Sequence, residues 1–245
     1  MTKKVGIITF HNSYNCGSML ESYAMQTSVS KFINNTYVKI INFSNEGQRN
    51  LYSNWYKKKS IKNFIKNFIL LPHQKVIKIN NSKYEEFKNK FFNLTNEYRE
   101  MSELNDSNFN YIISGSDQIW NITIDDSDDA YFLPWVHNAK KIAYAPSFGA
   151  KNISKYSNNV CKYQKFLKDY DFLSVREYNG QKWIKDLINV EVPVVLDPTL
   201  LLEKNDYKNL IANDIDEKEK YIFFYSPTFD IEICKFIKKL LINIK

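Results

Sequence analysis

Glycine and proline are scarce, at six each in 245 residues, which argues against collagen-like and low-complexity chains and leaves no Gly/Ser-rich or Pro-rich linker to cut the chain into separate beads. Cysteine is scarcer still. Cys16, Cys161 and Cys234 are odd in number and far apart, which fits neither a disulfide framework nor paired zinc-ligand spacing and suits a reducing cytoplasm. Of 34 basic residues only Arg49, Arg99 and Arg176 are arginine. Nucleic-acid readers favour the arginine fork for phosphates and guanine edges, and no helix-turn-helix, zinc-finger or aromatic RNA-binding pattern accompanies the lysines, so no nucleic-acid partner is expected. The apolar stretch from Val5 to Phe10 stops at His11, far short of a signal peptide or a membrane span. His11, His73 and His137 are isolated and lack metal-ligand spacing. Neither a metal nor a cofactor is expected.

What is present is a globular composition, 44% hydrophobic and 16% aromatic, with a formal charge of +7. That charge is concentrated: residues 51–90 hold ten Lys against Glu85 and Glu86, and the rest of the chain is close to neutral. Periodicity gives the organisation. Lys4 to Phe10 reads as a strand, His11 to Gly17 as a polar loop, Ser18 to Ile33 as a helix and Tyr37 to Phe43 as a second strand, which together make a βαβ unit with parallel strands. Trp55 to Phe92 turns helical and basic, broken at Pro72, and reads as two helices inserted between strands. Phe109 to Ser114, Lys141 to Ala145, Phe172 to Val175 and Val192 to Leu196 are further strand candidates, with helices at Ser154 to Lys168 and Glu177 to Leu187. The fold class is therefore α/β, a Rossmann-like parallel sheet. A first domain is expected over residues 1–202, with its basic helical insertion at about 55–92. A short helix near Asp206 to Ile211, a strand at Tyr221 to Tyr225 and a helix at Phe229 to Ile242 make residues 203–245 the start of a second α/β domain, one strand and one helix being too little to bury a core unaided.

In open parallel sheets ligands bind at the carboxyl ends of the strands. Asn15-Cys16-Gly17-Ser18 closes the first such loop. Two readings stand: backbone amides at a helix start that receive phosphate or carboxylate, or an ordinary turn and N-cap. The pattern is neither GxGxxG nor a P-loop. Ser114-Gly115-Ser116-Asp117-Gln118-Ile119-Trp120-Asn121 follows a strand directly and combines small residues, a carboxylate, amides and an indole. Sugars need that mixture, since hydroxyls take Asp, Asn and Gln and an apolar C–H face takes a Trp ring. In the competing reading Trp120 anchors the core and Asp117 is a cap. Tyr144 to Gly149 ends a strand and either brings Ser147 into the same cleft or is a plain turn. Arg176 either holds an anion or pairs with Glu177, and Asp197-Pro198-Thr199 reads as a structural turn.

Five stretches in order, Val5 to His11 with Asn15 to Leu20, Ile113 to Asn121, Ile142 to Gly149, Ser174 to Glu177 and Val195 to Leu201, resemble the polysaccharide pyruvyl transferase family. The resemblance implies two Rossmann-like domains facing across a cleft, as in GT-B glycosyltransferases. It also implies transfer of an enolpyruvyl unit from phosphoenolpyruvate to two hydroxyls of a sugar, giving a ketal and phosphate in surface or exopolysaccharide biosynthesis. The acceptor is then a glycan or lipid-linked sugar, and Asn15, Gly17, Ser18, Ser116, Asp117, Gln118 and Trp120 are the cleft residues, with Arg176 as an anion contact. Family members place the acid histidine in a Ser-Phe-His-Gly-like stretch of the second domain. This sequence contains none, so that histidine is expected beyond Lys245, the catalytic residues stay unassigned, and residues 1–245 are expected to be an acceptor-side portion, inactive alone. Cys16, Glu21 and Pro146 stand where an aromatic, Gln and Ala are usual. The alternatives are a sugar-nucleotide glycosyltransferase of the same architecture and a non-catalytic carbohydrate-binding remnant. The expected location is cytoplasmic, with peripheral contact at the inner membrane face through the Lys57 to Leu70 stretch. There Ile61, Phe64, Ile65, Phe68 and Ile69 form a stripe and the lysines lie largely off it.

Overall fold

A computed structural model describes residues 2–53, 55, 61–211 and 230–243. The chain divides into two compact units, residues 1–203 and 204–245. In the first, six parallel strands form one sheet: β1 (Lys3–Ile8), β2 (Thr36–Phe43), β3 (Leu94–Tyr98), β4 (Tyr111–Ser114), β5 (Lys140–Ala143) and β6 (Phe172–Leu173). Their spatial order is β3-β2-β1-β4-β5-β6. The chain builds outward from β1 to one edge, then returns to its other side at β4. Val5 to Ile8 are all buried, as expected for a central strand covered on both faces, and they pair with β2 through Val5↔Val38 and with β4 through Ile7↔Ile113.

Helix α1 (Cys16–Phe32) connects β1 to β2. It is buried on more than one side, because the sheet, an inserted helix and the turn at Pro198–Leu200 all pack on it. That setting explains why polar Ser18, Glu21, Ser22 and Ser28 are buried along it. After β2 come α2 (Glu46–Leu51), α3 (Ile61–Leu70), a 3-10 turn at Leu71–His73 and α4 (Gln74–Phe91). The break falls at Pro72, which cannot donate to a continuing helix. Aromatic contacts dock α4 onto α1, with the Tyr23 ring 5.9 Å from Phe91 and 6.5 Å from Phe87, and Gln26 donating to the Phe91 carbonyl. The part of the expected Lys57 helix before Ile61 lies outside the described residues.

On the other flank α5 (Ile153–Tyr156), α6 (Val160–Lys168) and α7 (Tyr178–Ile188) cover β4 to β6. The expected single helix from Ser154 to Lys168 is two, because Asn159 caps a fresh start by accepting from the Lys162 amide. β3 went unseen in the sequence: Leu-Thr-Asn-Glu-Tyr is a polar strand at the sheet edge with no apolar run to mark it. The expected strand Val192 to Leu196 reduces to one parallel bridge, Val175↔Val194, beside a two-residue β6 and next to Pro193, which has no N–H to give. In the second unit a 3-10 segment at Lys204–Leu210 and α8 (Ile231–Asn243) are described. The expected strand Tyr221 to Tyr225 and the terminal Lys245 lie outside the described residues.

Candidate functional site

The order of strands reverses between β1 and β4, which opens a crevice at their carboxyl ends, where open α/β sheets bind ligands. The loop after β1 brings Asn15 and Ser18 to it. Asn15 is the N-cap of α1, and its Oδ1 accepts from Gly17 N at 2.8 Å and Ser18 N at 3.4 Å. Those first amides are thereby consumed by the chain's own side chain, so the helix start is capped rather than open to an anion. Gly17 is exposed and keeps an ordinary φ. Cys16, also exposed, contacts the Tyr84 hydroxyl at 3.3 Å. Ser18 is buried and donates from Oγ to Asp117 Oδ2 at 2.5 Å.

The loop after β4 supplies that carboxylate through an unusual backbone path. Gly115 has φ +147°, and a Cβ there would meet the Tyr144 carbonyl oxygen at 1.9 Å, so only glycine fits. Ser116 is buried and donates to Ala145 O at 2.7 Å, which ties the loop to the end of β5 instead of facing a ligand. Asp117 sits at φ +71° and is half-buried. Its amide donates to Glu21 Oε1 at 2.9 Å and its Oδ1 accepts from Gln118 N at 2.7 Å. Gln118 is exposed at the rim and accepts from Asn121 Nδ2 at 3.1 Å. Ser147 is buried, its Oγ accepting from the Gly149 amide at 3.0 Å.

Trp120 is not where a sugar platform would be. It is 0% exposed, its ring stacked on Phe132 at 5.3 Å and 8° and tilted on Phe148, with Nε1 donating to Tyr131 O at 3.2 Å. No face of the indole is open. An apolar surface this large between β4 and α6 buries itself in the core, and the core-anchor reading is the one that the geometry supports.

Arg176 completes the crevice together with Glu21 and Asp197, neither of which the sequence marks as part of it. Arg176, after β6, donates from Nη1 to Glu21 Oε1 at 2.7 Å and to Asp197 Oδ2 at 2.9 Å, and from Nε to Glu177 at 2.8 Å. Its fork is thus satisfied by carboxyl groups, which removes it as an anion contact. Asp197 also caps the turn at Pro198–Leu200, accepting from Thr199 N and Oγ1 at 2.9 and 2.6 Å. Glu21 is 5% exposed. Burial first, then a hydrogen bond to Asp197 and the charges of Asp117 and Asp197, push its carboxyl up to about 9, although Arg176 Nη1 lies 2.7 Å from its Oε1. One guanidinium against the acids Asp117, Glu177 and Asp197 makes the crevice acidic without any charge from Glu21. Hydroxyl groups suit it, and a phosphate or carboxylate does not.

The histidines lie elsewhere. His11 is fully buried between Thr9 O at 3.2 Å and Asn42 Oδ1 at 3.1 Å, and desolvation brings its imidazole down to about 4. His73 is exposed in the turn after α3, and His137 precedes β5 at the amino end of the sheet. Among the described residues no group of three His, Cys, Asp or Glu is placed to hold a metal ion.

In comparisons with known proteins, a family model described as Polysaccharide pyruvyl transferase matches residues 15–241. No curated protein and no solved structure matches the chain significantly.

Proposed function

Since the chain belongs to the polysaccharide pyruvyl transferase family, we propose that its first unit binds the sugar acceptor of that transfer in the crevice between β1 and β4. The observation that carries the reading is the Ser18 and Asp117 pair, held at 2.5 Å at the point where strand order reverses and surrounded by an acid-rich network. A carboxylate there accepts a sugar hydroxyl and takes its proton as the oxygen attacks. Glu21 and Arg176 act at one remove: the Glu21 carboxyl holds the Asp117 amide, and Arg176 fixes Glu21 against Asp197. Asn15 and Gln118, exposed at the two loops, are the rim contacts for hydroxyls around the reacting one.

Phosphoenolpyruvate is the proposed donor. Its terminal CH2 carbon takes a proton and becomes a methyl group. The adjacent carbon, which bears the phosphate and the carboxylate, becomes electron-poor and takes a first hydroxyl oxygen. Attack of a second hydroxyl on that carbon expels phosphate and closes the ketal, each hydroxyl giving up its proton to a base or to the departing phosphate. Both anionic groups of that donor need cations, which the acidic crevice does not offer. The acid is likewise assigned to none of the chain's three histidines: one is buried and neutral, one lies at the far end of the sheet, and one lies in the helical insertion. Residues 1–245 are accordingly proposed to bind acceptor without turning it over alone. We place the acceptor at a membrane surface, as a lipid-linked sugar. Support comes from α3, whose Phe64, Ile65, Phe68 and Ile69 are exposed within the lysine-rich segment. Among the described residues no helix is long and apolar enough to cross a membrane.

The test is calorimetric titration of the chain with neutral oligosaccharides. Asp117→Asn and Ser18→Ala should each weaken binding about 3- to 10-fold while melting stays near that of the parent. Unchanged affinity in both variants, or acceptor-dependent phosphate release from phosphoenolpyruvate by the chain alone, would contradict the corresponding half of the reading.

A further inference from the structure

A cavity of about 640 Å³ opens beside the crevice, lined from the loop after β1, the ends of β2 and β3, α2 and α4. Arg49, Lys78 and Lys88 share its wall with the carboxylates Glu85 and Glu97. Both carboxylates are already answered. Glu85 Oε1 accepts from Lys88 Nζ and from the Tyr14 hydroxyl, each at 2.8 Å, and Lys88 also donates to Asn12 Oδ1 at 2.7 Å. Glu97 is met by a cation from outside the cavity, Arg99, whose Nε and Nη2 donate to its two oxygens at 3.0 and 3.4 Å. Arg49 and Lys78 are left over. Arg49, half-buried on α2, donates from Nη1 to the neutral carbonyls of Ser44 and Arg99, and among the described residues no carboxylate pairs with it. Lys78, exposed on α4, likewise has no ion-pair partner among the described residues.

A concave wall with uncancelled positive charge from two elements attracts an anion. A guanidinium and an ammonium together offer more donors than one carboxylate can take, and they suit the several oxygens of a phosphate group. The crevice beside the cavity has the opposite sign, so a ligand that spans both carries a neutral end and an anionic end. The chain supplies a third property. Helix α4 follows α3 after the turn at Leu71–His73, Lys78 lies at its second turn, and α3 exposes Phe64, Ile65, Phe68 and Ile69. An apolar face, a cationic cavity and an acidic crevice thus succeed one another along α3, α4 and the loop after β1. Tail, phosphate and sugar succeed one another in the same order in a sugar carried on lipid through a phosphate ester.

We propose that this cavity is a subsite for a phosphate ester, the anionic link between the acceptor sugar at Asp117 and its lipid, with Arg49 and Lys78 as the contacts. The inference rests on the acceptor reading above and adds a location and a charge to it. Continuity is physical, since the loop after β1 lines the cavity with Asn12 and Tyr14 and then passes into Asn15 and Ser18 of the crevice. Helix α4 is fastened to that loop, the Tyr84 ring stacked on Tyr14 at 5.4 Å and its hydroxyl 3.3 Å from Cys16 Sγ. Lys88 and Glu85 neutralise each other and hold the wall between them.

Calorimetry on the whole chain at low and high salt provides the test. The probes are glucose, galactose, mannose and N-acetylglucosamine, each free and as its 1-phosphate, together with inorganic phosphate and phosphoenolpyruvate. A sugar 1-phosphate should bind about 10-fold more tightly than its parent sugar, and added salt should erase most of that margin. Lys78 is exposed, so Lys78→Ala should melt with the parent chain, cut the margin about 3-fold and leave the affinity for the free sugar unchanged, and Lys78→Glu should remove the margin. If Asp117→Asn weakens sugar binding while the 1-phosphate has no margin, or keeps its margin in Lys78→Glu, the subsite is wrong and the acceptor reading survives. If no sugar binds in either form, both fall. Inorganic phosphate bound as tightly as a sugar 1-phosphate would make the occupant a free anion. Phosphoenolpyruvate that displaces the sugar 1-phosphate, and loses affinity in Lys78→Glu, would make it the donor. Either result overturns the proposal.

Discussion

Glu21 is an acid buried among acids, and its geometry dictates what substitution does. Its Oε1 accepts from Asp117 N and Arg176, and burial beside Asp197 and Asp117 favours the protonated form. A glutamine keeps both acceptances and is neutral at every pH. Because the folded-state value is raised from 4.5 to about 9, the contribution of Glu21 to stability is full below about pH 4.5 and drains away as pH rises toward 9. Glu21→Gln should therefore be the more stable protein at pH 8 in urea unfolding, with the gap closing toward pH 5; equal midpoints across that range would show an unshifted carboxyl. Trp120 has the opposite lesson. Truncating an indole stacked on Phe132 and tilted against Phe148 leaves a cavity, and Trp120→Ala should cost about 3–5 kcal/mol in the same experiment, more than a loop contact would. The sequence could not separate these roles, because an aromatic in a loop after a strand has the same letters whether it turns outward or inward. Ser18 and Asp117 stood out in the sequence as residues of two separate loops, and the structure brings them together. Arg176, Glu21 and Asp197 were legible only as isolated letters, since they lie 155 and 21 positions from one another and meet through the sheet.

The helices and strands were legible where periodicity had a cause. Central β1 is apolar over Val5 to Ile8 because both its faces are covered, β2 buries Val38, Ile40, Ile41 and Phe43, and α1 is bounded by an asparagine cap that the sequence shows. Edge elements carry no such mark, so polar β3 passed unseen and the Pro193 segment looked more like a strand than it is. Helix α3 was expected as an apolar stripe, and its Phe68 is 70% exposed with Phe64, Ile65 and Ile69 beside it. On the proposed membrane placement this face would insert into the boundary between headgroups and acyl chains, helped by anionic lipid. The chain should co-sediment with phosphatidylserine-containing vesicles at low salt, and Phe64→Glu with Phe68→Glu should abolish that without changing saccharide binding. Failure of the parent chain to sediment would end the membrane placement.

At the scale of the whole first unit, the strand order separates two kinds of chemistry. The acidic crevice is assembled from the segments after β1, β4 and β6, whose side chains hold one another, whereas the cavity beside it owes α2, α4 and Glu97 to the crossover between β2 and the outermost strand. Extra residues in a crossover cost little, because loop-closure entropy grows slowly with length, and an edge strand can be rebuilt without altering the register of β1 against β4. Descent within such a lineage is thus free to work on one part and constrained in the other. Insertions, deletions and exchanged helices between β2 and β3 can therefore reshape the cavity wall, while the side chains that hold one another in the crevice can be replaced only together.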